Sequence, residues 1–311
     1  MQKIVFYGNC QLAVLSHILA AHVENFNSHF ETLNAKDYSL STIWRDDVGT
    51  VYPLAHSDDA FTSEFVKSIE KIVDDADVIV FQKIHGPPSK NRPAEILTDY
   101  IHSKYDGKKH MICIPSFWFS GYLSNGFKDG AQFAHIFLWL LEQGLSNSQI
   151  LDWLKHEYDP KIEKLVNYNA DKSIDELQKR EQKESATYGC FIGIVDILSN
   201  YREQLICYNH HHPSAYYFNV LYKKLLDELG FKTDNELNID CVGIPGGDFT
   251  PYANDFAWFR QVFQGIKGCS QQYYRANFLN ADYVSKNVEI VKAYTQADIA
   301  ALQPQLDILN S

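Results

Sequence analysis

The first two dozen residues constrain the fold more than any other stretch. Lys3-Ile4-Val5-Phe6-Tyr7 is an apolar, β-prone run that stops at Gly8, and Asn9-Cys10-Gln11 leads into Leu12-Ala13-Val14-Leu15-Ser16-His17-Ile18-Leu19. The apolar pattern changes there from continuous to helical, with Leu12, Leu15, Ile18 and Leu19 sharing one face, so the spacing predicts a strand, a tight turn and a helix. Cys10 falls near the helix N-terminus. Unpaired backbone N–H groups and the positive end of the helix dipole favour an anion there and lower a thiol's pKa towards the reactive thiolate. Taken alone, a cysteine in this position is as readily a small buried hydrophobe as a nucleophile.

The alternation continues. Phe30 to Leu33 reads as a second short strand, Ala60 to Val73 has helical spacing, and Val78-Ile79-Val80-Phe81 is an apolar run of the kind buried on both faces of a parallel sheet. A helix over Pro93 to Lys104 and a strand over His110 to Ile114 follow, the latter ending in Pro115-Ser116-Phe117-Trp118. This order predicts an α/β fold, a parallel sheet with flanking helices. Ligands collect outside the carboxyl ends of such strands, where Cys10, Gln82, His85 and Ser116 all fall.

Beyond about Gln132 the pattern turns helical: Gln132 to Glu142, Ser148 to His156, and a long helix from about Ser173 to Tyr201, started by a Ser173/Glu176 capping box and interrupted around Gly189 and Gly193. The chain returns with a strand over Gln204 to Tyr208, then Asn209-His210-His211-His212-Pro213-Ser214 and a helix over Ala215 to Leu229. The expected organisation is an α/β core from 1–129 with 204–240, a mainly helical insertion or lid at 130–203, and a C-terminal extension at 241–311 that packs on the core, rich in turns and aromatics.

Composition narrows the function. Thirty-nine acidic against 28 basic residues give a net charge of −11, which argues against a non-specific nucleic-acid or anionic-membrane binder. No apolar run approaches the length of a membrane helix and the N-terminus is not a secretion signal, so a cytoplasmic location is expected. The six cysteines are scattered without C-x-x-C pairs, which points to reduced thiols and away from a metal site.

Around Cys10, Gly8 permits close backbone approach, Asn9 and Gln11 are polar where a purely packed turn needs neither, and the Cys10 or Gln11 N–H can donate to a developing oxyanion. The second constellation is Asn209-x-x-His212-Pro213. Three adjacent histidines in an extended segment alternate in direction, so they do not readily face one ion. A thiol, an imidazole and an orienting amide form a nucleophile–base–orienter set, recognised by geometry and not by chain order. Gln82 is the candidate oxyanion partner, or else a strand-end amide bonded to a loop backbone. Lys83, His85, Lys90 and Arg92 lie in one Pro-rich loop, either a solvated face or the cations that a phosphate needs. Ser116, Phe117 and Trp118 read either as an apolar wall for a ligand or as core.

These residues carry a resemblance. The strand–Gly8-Asn9-Cys10-Gln11–helix opening, Val80-Phe81-Gln82, Ile114-Pro115-Ser116-Phe117 and Asn209-His210-His211-His212-Pro213-Ser214 together resemble the WcbI-like family of polysaccharide-biosynthesis proteins. Members are regarded as acetyltransferases that bind coenzyme A, with an architecture related to the SGNH hydrolases. The resemblance implies a three-layer fold and places Cys10 at the SGNH serine position, His212 at the histidine and Asn209 at the aspartate. Asparagine lacks the charge that stabilises an imidazolium, although a thiol needs less help than a hydroxyl. It further implies acetyl-CoA as co-substrate, held by Gly8, Asn9, Gln11, Lys83, His85, Arg92 and Ser116, a sugar or glycan acceptor, no metal, and room for a homo-oligomer. The expected activity is sugar O-acetylation. The alternatives are a thioesterase or carbohydrate esterase of the same architecture and a non-catalytic coenzyme A-binding protein.

Overall fold

The computed structural model describes residues 1–8, 10–33, 66–83, 102–122, 133–209, 212–231, 255–267 and 279–311. The elements in chain order are β1 (Gln2–Tyr7), α1 (Cys10–His22), α2 (Phe26–His29), β2 (Phe30–Thr32), α3 (Val66–Asp75), β3 (Val78–Phe81), β4 (His110–Cys113), α4 (Ala134–Glu142), α5 (Asn147–His156), α6 (Lys161–Tyr188), α7 (Val195–Leu198), β5 (Cys207–Asn209), β6 (His212–Pro213), α8 (Ala215–Glu228), α9 (Ala257–Val262), α10 (Ala281–Lys292) and α11 (Gln296–Asn310). Residues 102–105 close a further helix, and the 93–101 part expected to begin it lies outside the described residues.

The chain divides into two compact units whose segments alternate along the sequence. One comprises Met1–Phe117, Gln178–Ile194 and Phe218–Asp240, the other Trp118–Leu177, Val195–Tyr217 and Cys241–Ser311. Residues 178–194, expected in the helical insertion, therefore group with the sheet, and 204–217, expected in the core, group with the helices.

In the first unit four strands run parallel in the order β2-β1-β3-β4, as the apolar runs predict. Successive residues face opposite sides of a strand. Val5, Tyr7, Ile79, Phe81, Met111 and Cys113 form one buried face, packed with Val73 of α3, with Ala76 just beyond it and with Tyr105 and Tyr188. The intervening Ile4, Phe6, Val78, Val80 and Ile112 are buried as well, as are Leu12, Leu15, Ile18 and Leu19 of α1, which packs against β1. The order reverses at β1: the chain moves one way from β1 to β2, then returns past β1 to β3. Right-handed crossovers then put α1 and α3 on opposite faces and open a crevice between the carboxyl ends of β1 and β3.

The second unit is helical, with α4, α5, α10 and α11 packed together and α9 against α5. Its core is aromatic: Phe133 lies 4.8 Å from Phe256 and 5.8 Å from Trp258, centroid to centroid. Beyond 254 the expected turn-rich extension contains three helices among the described residues, α9, α10 and α11. Asn280 caps α10 by accepting the Tyr283 N–H, and Thr295 with Asp298 makes a capping box for α11.

Two sequence-based expectations need correction. The long helix begins at Lys161, where Asp159 Oδ1 accepts the Lys161 N–H (2.8 Å). Ser173 stands inside it, its hydroxyl donating to the Asn169 carbonyl one turn back (2.8 Å), so it is not a cap. The helix ends at Tyr188 because Gly189 takes φ of +73°, and it does not run on to Tyr201. The strand expected at Gln204 to Tyr208 is confined to Cys207–Asn209 and pairs antiparallel with β6, apart from the parallel sheet.

His135 sits wholly buried among the apolar residues Ala134 to Leu140 of α4, with neither ring nitrogen hydrogen-bonded. Burial pushes its pKa from 6.5 down to about 3, so the folded chain holds it neutral while the unfolded chain protonates it near neutrality. Between these values the unfolded state binds more protons. The contribution is therefore complete above about pH 6.5 and is lost as pH falls towards 3, about 2 kcal/mol of it by pH 5. Thermal unfolding at pH 5 and pH 7.5 should show a smaller acid destabilisation for His135→Leu than for the parent chain.

Candidate functional site

At the carboxyl edge of the sheet two buried glutamines join three strand ends. Gln82, just beyond β3, donates its backbone N–H to the Tyr7 carbonyl (2.9 Å), and its Nε2 donates to Gln11 Oε1 (3.1 Å) and the Pro115 carbonyl (3.3 Å). Gln11, in the first turn of α1, clamps Phe117 from both sides: its Oε1 accepts the Phe117 N–H (2.9 Å) and its Nε2 donates to the Phe117 carbonyl (3.1 Å). Both side chains are buried. Gly8 packs against Gln82 and Leu12 so closely that nothing larger fits: a Cβ there would stand 2.8 Å from Leu12 Cδ1 and 2.9 Å from Gln82 Oε1.

This network fixes the head of α1, whose first residue is Cys10, at the reversal point of the sheet. Three other thiols are unsuited to nucleophilic work at neutral pH. Burial pushes Cys113 and Cys207 far up, and burial with the neighbouring Glu228 carboxylate pushes Cys190 up to about 12.

The rest of the edge is polar. Ser116 is half-buried, and Arg180 of α6 donates from Nη1 to the Ser116 carbonyl (3.2 Å) and contacts its hydroxyl (3.4 Å). Lys83 places its ammonium 5.8 Å from the centre of the Tyr188 ring, a cation–π contact. Phe117 is core, whereas Trp118 is 44% exposed. Arg180 escaped the sequence reading because its helix was assigned to a separate insertion. A register argument from Gly189 backwards would have put it two turns before the helix end, but nothing in its neighbours marks it as a ligand residue.

In the second unit, Asn209 and His212 are direct partners across the β5–β6 hairpin. The hairpin is anchored below: the Ser214 N–H donates to the Ile206 carbonyl (2.9 Å), the Ile206 N–H to the Tyr122 hydroxyl (3.2 Å), the Leu205 N–H to the Lys267 carbonyl (2.9 Å) and the Lys267 N–H to the Glu203 carbonyl (2.9 Å). Ser214, whose hydroxyl accepts the Tyr217 N–H (3.3 Å), caps α8, so Pro213 belongs to the strand and not to the first helical turn. His212 is half-buried. Cys10, Gln11, Gln82, Lys83 and Ser116 thus share the first unit, and Asn209 and His212 the second. Asn9, His85, Lys90, Arg92, His210 and His211 lie outside the described residues.

A parallel sheet with this edge, together with an Asn-x-x-His hairpin, bears directly on kinship. The family model described as polysaccharide biosynthesis enzyme WcbI matches residues 52–234. The chain belongs to the WcbI family. The matched stretch holds Gln82, Ser116, Asn209 and His212 but begins after Cys10. A solved WcbI structure, described as the native protein without a disulfide bond between coenzyme A and one of its cysteines, aligns with a TM-score of 0.62 at 16% identity, over 99% of this chain and 98% of its own. At that identity the likeness concerns the fold, which WcbI and this chain share from end to end. Among curated proteins none matches the sequence. Among the described residues no helix is long and apolar enough to cross a membrane.

The tight approach at Gly8 generates a prediction. Gly8→Ala must displace Leu12 or the hydrogen-bonded Gln82, both buried, at a cost of about 1–3 kcal/mol. Chemical denaturation should show a lowered midpoint with an unchanged denaturant slope.

Proposed function

We propose that this chain is an acyltransferase of polysaccharide biosynthesis that moves an acetyl group from acetyl-CoA to a hydroxyl of a sugar or glycan precursor. The observation that carries the reading is the carboxyl edge of the sheet, where Cys10 heads α1 at the β1/β3 crevice and Arg180 and Lys83 supply cations to the same edge. A solved WcbI is described as the native protein without a disulfide bond between coenzyme A and one of its cysteines, and among the described residues Cys10 is the cysteine at a helix head. The residues suit such a ligand: its phosphates need cations, and an arginine fork binds them in a fixed geometry.

Acetyl transfer needs donors for the developing oxyanion and a base for the acceptor hydroxyl. The first-turn N–H groups of α1, which lack helical partners, are suited to the first task. Gln82 was a candidate for it. Its amide nitrogen donates to Gln11 and Pro115, and we assign it to positioning the helix head. His212 is the proposed base and Asn209, its hairpin partner, the orienting residue. In the covalent route the Cys10 thiolate attacks the thioester carbonyl, the carbon–sulfur bond to the coenzyme breaks, and the coenzyme leaves as its thiolate. The acceptor oxygen then displaces Sγ as its proton passes to His212. In the direct route the acceptor attacks the thioester and Cys10 only shapes the site.

Intact mass after mixing with acetyl-CoA alone decides between these routes: an adduct of one acetyl group, absent from Cys10→Ala, is expected for the first. Loss of acetyl transfer to sugar acceptors in His212→Ala supports the base. Acetyl-CoA consumed at the same rate with and without acceptor would overturn transfer in favour of a thioesterase. Unchanged turnover in both variants would leave only coenzyme binding.

The cation assignment has its own test. Arg180→Ala should weaken coenzyme A binding roughly tenfold or more, the worth of a charge-assisted hydrogen bond, while binding of pantetheine, which lacks the phosphates, is unchanged. Titration calorimetry with both ligands measures the difference.

A further inference from the structure

We propose that His110, Cys190 and Glu228 form a binding site for a zinc-class divalent cation, independent of the acyltransferase reading. The three residues lie at three places in the first unit: the first residue of β4, the residue after the glycine that ends α6, and the last residue of α8. Their donor atoms, one nitrogen, one sulfur and one carboxylate oxygen, all lie within 4.8 Å of one another. Cys190 Sγ is 3.0 Å and His110 Nε2 3.8 Å from Glu228 Oε1. A tetrahedral zinc ion, with bonds of about 2.0–2.3 Å, sets its ligands about 3.3–3.7 Å apart, so side-chain shifts within an ångström complete the site.

The donor set fits the ion. Imidazole, thiolate and carboxylate together select zinc over the hard cations, which take oxygen. Thiolate and carboxylate neutralise the two charges, and three protein ligands leave a fourth position for water. In the metal-free form the cysteine thiol donates to the carboxylate, a proton occupying the place of the cation. Binding therefore replaces S–H by S–Zn and releases one proton to solvent for each ion.

The backbone that carries the ligands is fixed in advance. The Cys113 N–H donates to the Cys190 carbonyl (3.0 Å) and the Ile192 N–H to the Cys113 carbonyl (2.9 Å), holding residues 190–192 beside β4. Lys224 Nζ donates to the Gly193 carbonyl (2.8 Å), tying α8 to the same segment. On the other side of the cluster, Lys109 Nζ donates to the Asp74 and Ala76 carbonyls. His110 and Glu228 side chains are each 43% exposed, which gives the ion a path in. The sequence reading missed this set because it holds a single cysteine, and its members are far apart in the chain.

The test is titration of the full chain with Zn²⁺, and with Co²⁺ as a spectroscopic probe. One ion per chain is expected, with a thiolate-to-cobalt charge-transfer band that Cys190→Ser abolishes and Cys10→Ser retains. Zn²⁺ affinity should fall at least about 100-fold in Cys190→Ser and at least about tenfold in His110→Ala and Glu228→Gln, since even residues behind metal ligands cost 10–100-fold. The exposed positions of the last two keep the test valid if Cys190→Ser folds poorly. No binding by the parent chain, equal binding by parent and Cys190→Ser, or a band lost only with Cys10 would overturn the proposal.

Discussion

The carboxyl edge of the sheet depends on two buried amides. Gln11 and Gln82 use their side chains as extra backbone, continuing past the last direct strand-to-strand bonds to hold the Pro115 and Phe117 backbone. Each lost member would strand a buried donor or acceptor, at about 1–3 kcal/mol per group. The network is thus a structural necessity before it is anything else. Its by-product is functional: because Gln11 is locked to Phe117, the residue before it, Cys10, cannot drift along the edge. Rigidity at the head of α1 comes here from side chains bonded to the strand ends.

What the sequence made legible follows from how strongly each signal is tied to local physics. Continuous apolar runs at Ile4–Tyr7 and Val78–Phe81 leave a parallel, doubly covered sheet as the simplest solution, and that is the fold. Helix ends were less legible. Ser173 with Glu176 satisfies the capping pattern, but a serine can equally bond the carbonyl four residues back inside a helix, and Asp159-Pro160 held the stronger start. The helices near the C-terminus carry proper caps at Asn280 and Thr295, which aromatic and turn residues between 245 and 275 overshadowed. Spatial coincidences, such as Arg180 beside Ser116, have no sequence period and could be seen only once folded.

The chain's membership of the WcbI family rests on residues 52–234, a stretch that excludes the strand–turn–helix opening. The opening and the matched stretch are nevertheless parts of one sheet, since β1 pairs with β3 over Ile4 to Tyr7. A family signature and a cysteine outside it are therefore joined by backbone hydrogen bonds. The polysaccharide-biosynthesis assignment and the Cys10 chemistry remain separate statements, and the sheet is what links them.

The β5–β6 hairpin gives the Asn-x-x-His spacing a meaning of its own. The same three-residue interval in a helix would tolerate sliding by a turn, but here it counts the two residues between directly paired positions. Adding or removing one residue would shift the register and present the opposite face of the strand. The interval therefore acts as a ruler. Across relatives the number of residues between this asparagine and histidine should be kept, variation there appearing as substitution and never as insertion.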